Sequence, residues 1–182
     1  MVSIEEIQAA YYMVAATGVL VAAGYYVLNM RATLETRQVQ LFMDLYKTYS
    51  SKDNQKDRDA MQLTWKFDGI RDFIEKYGAI NNPDEHAKWD TQIAQYVGIG
   101  VLVRRGMIKP DLVFDLINDS FTIFWEKFLP VIKEHRGGYL ASYAQDAEYL
   151  YDEMRRIAAE RGLVLPEVNH DLVTKYGMVH SQ

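Results

Sequence analysis

The chain has 182 residues, with 20 Lys+Arg, 25 Asp+Glu and 4 His, and its formal charge of −5 at pH 7 argues against a surface that binds nucleic acid. This length allows one small domain and excludes most large catalytic architectures. The absence of cysteine excludes disulfides, thiolate metal ligands, iron–sulfur clusters and cysteine nucleophiles. We therefore expect no nucleic-acid partner and no cysteine chemistry.

The first 30 residues contain an uncharged apolar run. It extends from Ile7 to Met30, and 24 residues at 1.5 Å per residue reach roughly 36 Å, enough for a hydrocarbon core of ~30 Å. A secretory signal peptide is one alternative, but Glu5 and Glu6 precede the run where a signal peptide has basic residues. A buried core helix is another, although a chain this short offers little core to surround one. The run predicts a transmembrane helix.

Two sets of side chains in this run suggest contacts. Ala15, Gly18 and Ala22 are spaced three and four apart, so they share one helix face on which another helix can approach closely. Plain exposure to lipid is the alternative for that face. Tyrosines near both ends and the first arginine are typical of the membrane interface. The predicted interface residues are Tyr11, Tyr12, Tyr25, Tyr26 and Arg31.

The charges that flank the run predict its orientation. Residues 1–6 contain no Lys or Arg, whereas Arg31, Arg37 and Lys47 follow within 20 residues. Because basic residues are retained on the cytoplasmic side, we expect the N-terminus outside and the remainder in the cytoplasm. The sequence thus predicts a single-pass protein of the plasma membrane, with an uncleaved anchor that contacts the lipid bilayer.

Helical periodicity continues after the run. Apolar residues on one face and the lack of Gly or Pro predict that the membrane helix continues as a stalk from residue 31 to about residue 49. Ser51 or Asp53 can cap a second helix, predicted over 54–77 and ended by Gly78. Asn82 and Pro83 predict the start of a third helix over 83–105.

Further helices are predicted in the second half of the chain. Pro110 opens a short helix, Asp119 or Ser120 starts another, and Pro130 is expected to kink or end it. After Gly137 and Gly138, apolar residues recur from Tyr139 to Ile157, and Arg161-Gly162 closes that helix. The predicted fold is all-α, with about five helices after the transmembrane segment. The predicted divisions are 1–30 for the span, 31–162 for the stalk and cytoplasmic helical domain, and 163–182 for an irregular tail.

The sequence encodes no recognisable metal site. The one Glu-x-x-His spacing, Glu167 to His170, stands alone in the tail, and no two histidines are three or four residues apart. Asp111, Asp115 and Asp119 lie four apart, but they lack the loop geometry of a calcium site and are more typical of a solvated helix face. We therefore predict no metal and no cofactor.

Other patterns have structural explanations. Gly98 and Gly100 lie in a helical stripe without a preceding strand, which favours close helix packing over nucleotide binding. Arg104 and Arg105 can bind an acidic partner or anionic lipid, and helix capping explains them as well. Four aromatic residues at helical spacing are typical of a core, with a ligand pocket as the alternative. These four are Phe121, Phe124, Trp125 and Phe128.

Several segments resemble a known family. They are LFMDLYKTYSS at Leu41–Ser51, IAQYVGIGVLVRRGMIKPDLVFDLINDSF at Ile93–Phe121 and FWEKFLPVIKEHR at Phe124–Arg136. Together with the apolar run they are similar to a domain-of-unknown-function family of prokaryotic, single-pass, membrane-anchored helical proteins, over roughly residues 5–160. The resemblance implies a helical fold and an anchor, and it implies no catalytic residue.

Two functions are compatible with these patterns. The first is a non-catalytic accessory or scaffold subunit of a larger membrane complex, whose partners are other membrane protein subunits, with homo-oligomerisation allowed. The second is a membrane-anchored sensor or regulator that signals through the stalk helix. An enzyme is disfavoured, because no catalytic cluster is encoded.

Overall fold

A computed structural model describes residues 3–138 and 140–163, and in these residues the fold is all-α, as predicted. Five α-helices follow a long first helix, and no strand occurs in the described ranges. The elements are α1 (Ile4–Tyr49), α2 (Lys52–Asp59), a π-helical turn (Ala60–Thr64), α3 (Gly69–Tyr77), α4 (Pro83–Arg104), α5 (Pro110–Gly138) and α6 (Gln145–Glu160). Apart from Leu163, the predicted irregular tail lies outside the described residues, and so do Glu167 and His170.

Helix α1 is continuous for 46 residues, which confirms that the apolar helix extends through the stalk to Tyr49. The chain divides into two compact units, and the division falls within α1, between Phe42 and Met43. The first unit is therefore a single helix in the described residues. The division predicted at residue 31, between a membrane span and a cytoplasmic domain, stays a prediction.

The core of the second unit is aromatic. The four aromatic residues predicted for it lie on α5 and are fully buried. Trp65, which follows the π-helical turn, and Trp89, on α4, are buried as well. The Trp65 indole stacks on the Tyr77 ring with 3.9 Å between ring centroids, and Trp89 contacts Phe128 edge to face at 4.8 Å. Because aromatic side chains bury large areas, this cluster supplies much of the unit's hydrophobic stabilisation.

Helices α4 and α6 approach closely at Gly100. A Cβ placed on Gly100 would lie 2.0 Å from the carbonyl oxygen of Asp146, so only glycine fits there. This confirms the predicted packing role for Gly100. Gly98 has no atom within 4 Å of the corresponding position, so the packing role predicted for Gly98 is wrong.

The prediction of one helix over 54–77 is wrong. Helix α2 leads into the π-helical turn, residues 65–68 are not helical, and α3 starts at Gly69 with φ +75. Trp65 is extended, with φ −70 and ψ 123, and its indole is buried in the aromatic core. Tertiary burial of Trp65 therefore overrides the helical periodicity. The cap of α2 is as predicted, because the Ser51 hydroxyl oxygen accepts a hydrogen bond from the Asn54 N–H at 3.4 Å.

The predicted break near Asp119 is also wrong, because α5 runs unbroken from Pro110 to Gly138. The helix does not end at Pro130, which leaves the kink as the remaining prediction for that position. Asn118 and Thr122 are buried, and the Thr122 hydroxyl donates to the Asn118 side-chain oxygen at 3.3 Å. Proline removes one backbone donor from a helix, and burial of apolar residues on both sides of Pro130 offsets that cost. These residues are Phe128, Val131 and Ile132.

Two local predictions on the flanks of α4 and α6 need correction. Asn82 does not cap α4 through its side chain, because its amide donates to the carbonyl oxygen of Lys76 at 3.3 Å. Helix α6 begins at Gln145, later than the apolar repeat suggested, since residues 141–144 form a turn in which Ala144 has φ 55. Tyr139 lies outside the described residues.

Gly106 and Gly162 take left-handed φ values after α4 and α6, as predicted.

Candidate functional site

The apolar run lies wholly on α1. In the described residues, α1 is the one helix that is long and apolar enough to cross a membrane, by length and composition. No residue in its most apolar stretch is buried. Exposure of many large apolar side chains to water is unfavourable, and this part of α1 carries a continuous series of them.

The predicted contact residues are placed on α1 as the spacing requires. Ala15, Gly18 and Ala22 are exposed and share one face of the helix, and the position of a Cβ on Gly18 has no neighbour within 4 Å. The same face continues toward residue 40 with small and polar side chains, which line a shallow groove. They include Asn29, Thr33, Thr36 and Gln40.

The predicted interface residues are likewise exposed on α1. The Tyr11 and Tyr12 rings meet edge to face, with centroids 6.0 Å apart, and Tyr25 and Tyr26 are exposed near the other end of the run. Arg31 is exposed just beyond the run. The amphipathic tyrosine rings are thus exposed near both ends of the apolar run, which is the placement typical of membrane-interface residues.

The two arginines at the end of α4 differ in their surroundings. The Arg104 Nε lies 2.6 Å from Asp146 Oδ1, and this ion pair joins the end of α4 to the start of α6. Arg105 is exposed and its backbone N–H caps the helix by donating to the carbonyl oxygen of Val101. A contact of these residues with an acidic partner or with lipid stays a prediction, and of the two Arg105 is the better placed for it.

Sequence reasoning missed Lys127, which is half-buried on α5. Its ammonium donates to three backbone carbonyl oxygens, those of Met61 at 2.8 Å, Gln62 at 2.8 Å and Trp65 at 2.7 Å. It thereby stabilises the carbonyl end of the π-helical turn. Burial, with the nearby charge of Lys66, lowers the pKa of Lys127 to about 8. The sequence feature that could have identified Lys127 is its position as a basic residue directly beside Phe128, a member of the aromatic stripe on α5.

A second missed cluster surrounds Tyr49, the last residue of α1. Buried Arg58 donates from its guanidinium to the carbonyl oxygen of Tyr49 at 3.2 Å and lies 4.1 Å above the Tyr49 ring. The Tyr49 hydroxyl is hydrogen-bonded to Ser120 on α5. Tyr96 packs edge to face on Tyr49, and burial raises the pKa of Tyr96 well above its usual value. The end of α1 is thus held by a helix-capping cation, a hydroxyl pair and ring packing.

The described residues contain no group of three or more His, Asp or Glu side chains that could hold a metal ion. Asp111 and Asp115, considered above as part of a cation-binding stripe, both pair with Arg161 after α6, at 2.9 Å and 2.5 Å. Asp119 accepts a hydrogen bond from Asn118. These carboxylates therefore have structural partners on the second unit's surface.

The structure defines a class: an all-α protein with one long, exposed apolar helix at its N-terminal end and a helical unit built on an aromatic core. The chain belongs to the family described as Domain of unknown function (DUF4760), whose model matches residues 13–159. The match includes most of α1 and nearly all of α6. No curated protein and no solved structure matches the chain.

Proposed function

We propose that the protein is a non-catalytic accessory or scaffold subunit of a larger membrane complex, anchored by residues 7–30 of α1 in the plasma membrane. The observation that carries the proposal is the uncharged apolar stretch of α1, whose side chains are unburied along a length sufficient for a bilayer. The second unit buries an aromatic core, whereas the apolar side chains along residues 7–30 of α1 are exposed and available to lipid or to another component.

Charge supports the proposed orientation. Arg31, Arg37 and Lys47 follow the apolar stretch, and only Glu5 and Glu6 are charged before it. The positive-inside preference then places the second unit in the cytoplasm. Arg104 and Arg105 would lie in the same compartment, where an acidic partner surface or anionic lipid can meet Arg105.

The face of Ala15, Gly18 and Ala22 supports contact with another membrane subunit. Within lipid, small residues let two helix backbones approach closely, so packing can drive association where hydrophobic transfer cannot. At the end of the apolar run and just after it, the same face carries Asn29 and Thr33, whose short polar groups suit a helix–helix contact near the membrane surface.

The test is co-purification from native membranes in a mild detergent, followed by mass spectrometry of the size-exclusion peak. A fixed set of stoichiometric companions would support the subunit assignment. Ala22→Leu should release them, because a leucine prevents close approach, and Gly18→Leu should act in the same way. Ala9→Leu, the same kind of change about 180° around the helix from Gly18, should leave them bound. Companions that remain with Ala22→Leu and Gly18→Leu would refute the contact, and a chain absent from the membrane fraction would refute the anchor.

A sensor or regulator is the second candidate, and the packing around Tyr49 favours it. Because α1 is continuous and Arg58 and Ser120 hold its last residue, a shift of α1 would act directly on the second unit's core. Such a role requires two states of the stalk. Single cysteines placed along residues 34–49 should then change their cross-linking pattern with conditions, and an invariant pattern would contradict signalling.

A further inference from the structure

The π-helical turn ends with carbonyl oxygens that find no helical donor in the described part of the chain. Its last backbone hydrogen bond runs from the Trp65 N–H to the carbonyl oxygen of Ala60 at 3.2 Å. Trp65 is extended, and the following N–H, that of Lys66, donates to the Tyr77 hydroxyl at 3.2 Å. The carbonyl oxygens after Ala60 therefore depend on a donor from elsewhere in the fold.

Three of these oxygens converge on one atom, the Nζ of Lys127 on α5. They belong to Met61, Gln62 and Trp65, and we call them the carbonyl triad; their distances from the Nζ are 2.8, 2.8 and 2.7 Å. An ammonium group has three N–H donors and no acceptor, so one ammonium group satisfies three acceptors at once. The Phe128 ring lies 5.6 Å from the same Nζ, so the triad borders the aromatic core. Hydrogen bonds from a charged donor are stronger there than in water.

We propose that the carbonyl triad is a binding site for a primary ammonium ion, and that the chain supplies this ligand itself through Lys127. The triad has no formal charge, so its selectivity comes from the direction of the donors that it accepts. A guanidinium group has the same charge as an ammonium group, but its donors form a planar fork that suits carboxylates and phosphates. A quaternary ammonium ion has the charge but no N–H to donate. The ligand class is therefore a protonated primary amine.

The shape of the Lys127 side chain defines the free ligand that fits. Lys127 is half-buried, so solvent reaches the triad along the path of this side chain once the side chain is shortened. Lys127→Ala removes Cγ, Cδ, Cε and Nζ, which correspond to the heavy atoms of propylammonium. A propylammonium ion can therefore occupy the same path, with its three N–H donors at the triad. Because this ion binds the folded chain through contacts that the unfolded chain lacks, it stabilises the folded chain.

The experiment is urea unfolding of the full chain in detergent at neutral pH, followed by tryptophan fluorescence. Lys127→Ala should unfold at a lower urea concentration than the unmodified chain, and propylammonium chloride should shift its midpoint back upward as the salt concentration rises. Tetramethylammonium chloride supplies the same ionic strength without an N–H donor, and it should produce no such shift. Lys133 is exposed on the same helix, so Lys133→Ala measures the general effects of the two salts. An equal shift in both variants, or equal midpoints of Lys127→Ala in the two salts, would overturn the proposal.

A second variant separates the geometry of the ammonium group from its charge. Lys127→Arg keeps the positive charge, yet it should unfold at a lower urea concentration than the unmodified chain, and an unchanged midpoint would refute the selectivity. If Lys127→Ala does not fold, its refolding yield is compared in the two salts. Propylammonium should raise that yield, and equal yields would refute the binding site. These measurements use the purified chain without companions, so their failure is distinguishable from failure of the proposed subunit role.

Discussion

Gly100 and Gly98 lie two residues apart in α4, and exchanging each for alanine should change stability in opposite directions. At Gly100 the added Cβ would lie 2.0 Å from the carbonyl oxygen and 2.6 Å from the carbonyl carbon of Asp146. These are backbone atoms at the start of α6, so the clash is relieved only if α4 and α6 move apart. At Gly98 the added Cβ meets no atom within 4 Å.

The magnitudes follow from these distances. Overpacking at a tight helix contact typically costs about 1–3 kcal/mol, so Gly100→Ala should lower the free energy of unfolding by an amount in that range. Gly98→Ala should raise it by about 0.5–1 kcal/mol, because alanine loses less backbone entropy than glycine inside a helix. Gly98→Ala is therefore the matched control.

Tryptophan fluorescence during urea unfolding of the full chain in detergent is a suitable assay. The three tryptophans of the chain, Trp65, Trp89 and Trp125, are all buried in the second unit, where α4 and α6 pack. Midpoints that shift in the same direction for both alanine variants would refute the argument from close backbone approach.

The remaining predictions concern Lys127. Lys127→Met should lower the free energy of unfolding by about 1–3 kcal/mol, because three carbonyl oxygens lose a charged donor. Lys133 is exposed on the same helix, so Lys133→Met should change the free energy of unfolding little. Equal effects of the two variants in urea unfolding would contradict the capping role of Lys127. The pKa of Lys127, lowered from 10.5 to about 8, also predicts a pH dependence. Between pH 8 and pH 10.5, Lys127 is protonated in the unfolded chain and neutral in the folded chain. The free energy of unfolding, measured relative to that of Lys127→Met, should therefore rise with pH over this range. A fall over the same range would contradict the lowered pKa.

Local signals explain why several elements could be predicted. A proline at the first helical position and glycines after the last turn act within a few residues, so the bounds of α4 at Pro83 and Arg104 follow from the sequence. The aromatic core on α5 is equally local, since its members recur at helical spacing. The continuity of α1 follows because neither Gly nor Pro interrupts residues 25–49.

The errors arose where distant residues override a local signal. Helix α5 passes the break predicted near Asp119, because buried neighbours on both sides stabilise it. The predicted helix over 54–77 is broken after the π-helical turn, where Lys127, more than 60 residues later in the sequence, binds the free carbonyl oxygens. No periodicity within residues 54–77 reports a donor that comes from another helix.

The sequence by itself determined the all-α class, the long apolar helix, the faces of that helix and the aromatic core, because these depend on spacing of three, four or seven residues along one chain. The tertiary structure alone decided three things: the pairing of Arg58 with the end of α1, the carbonyl contacts of Lys127 and the need for glycine at Gly100 but not at Gly98. These depend on distances between segments far apart in sequence. Such distances are set only when the helices pack, and packing is decided by the whole core rather than by any one segment.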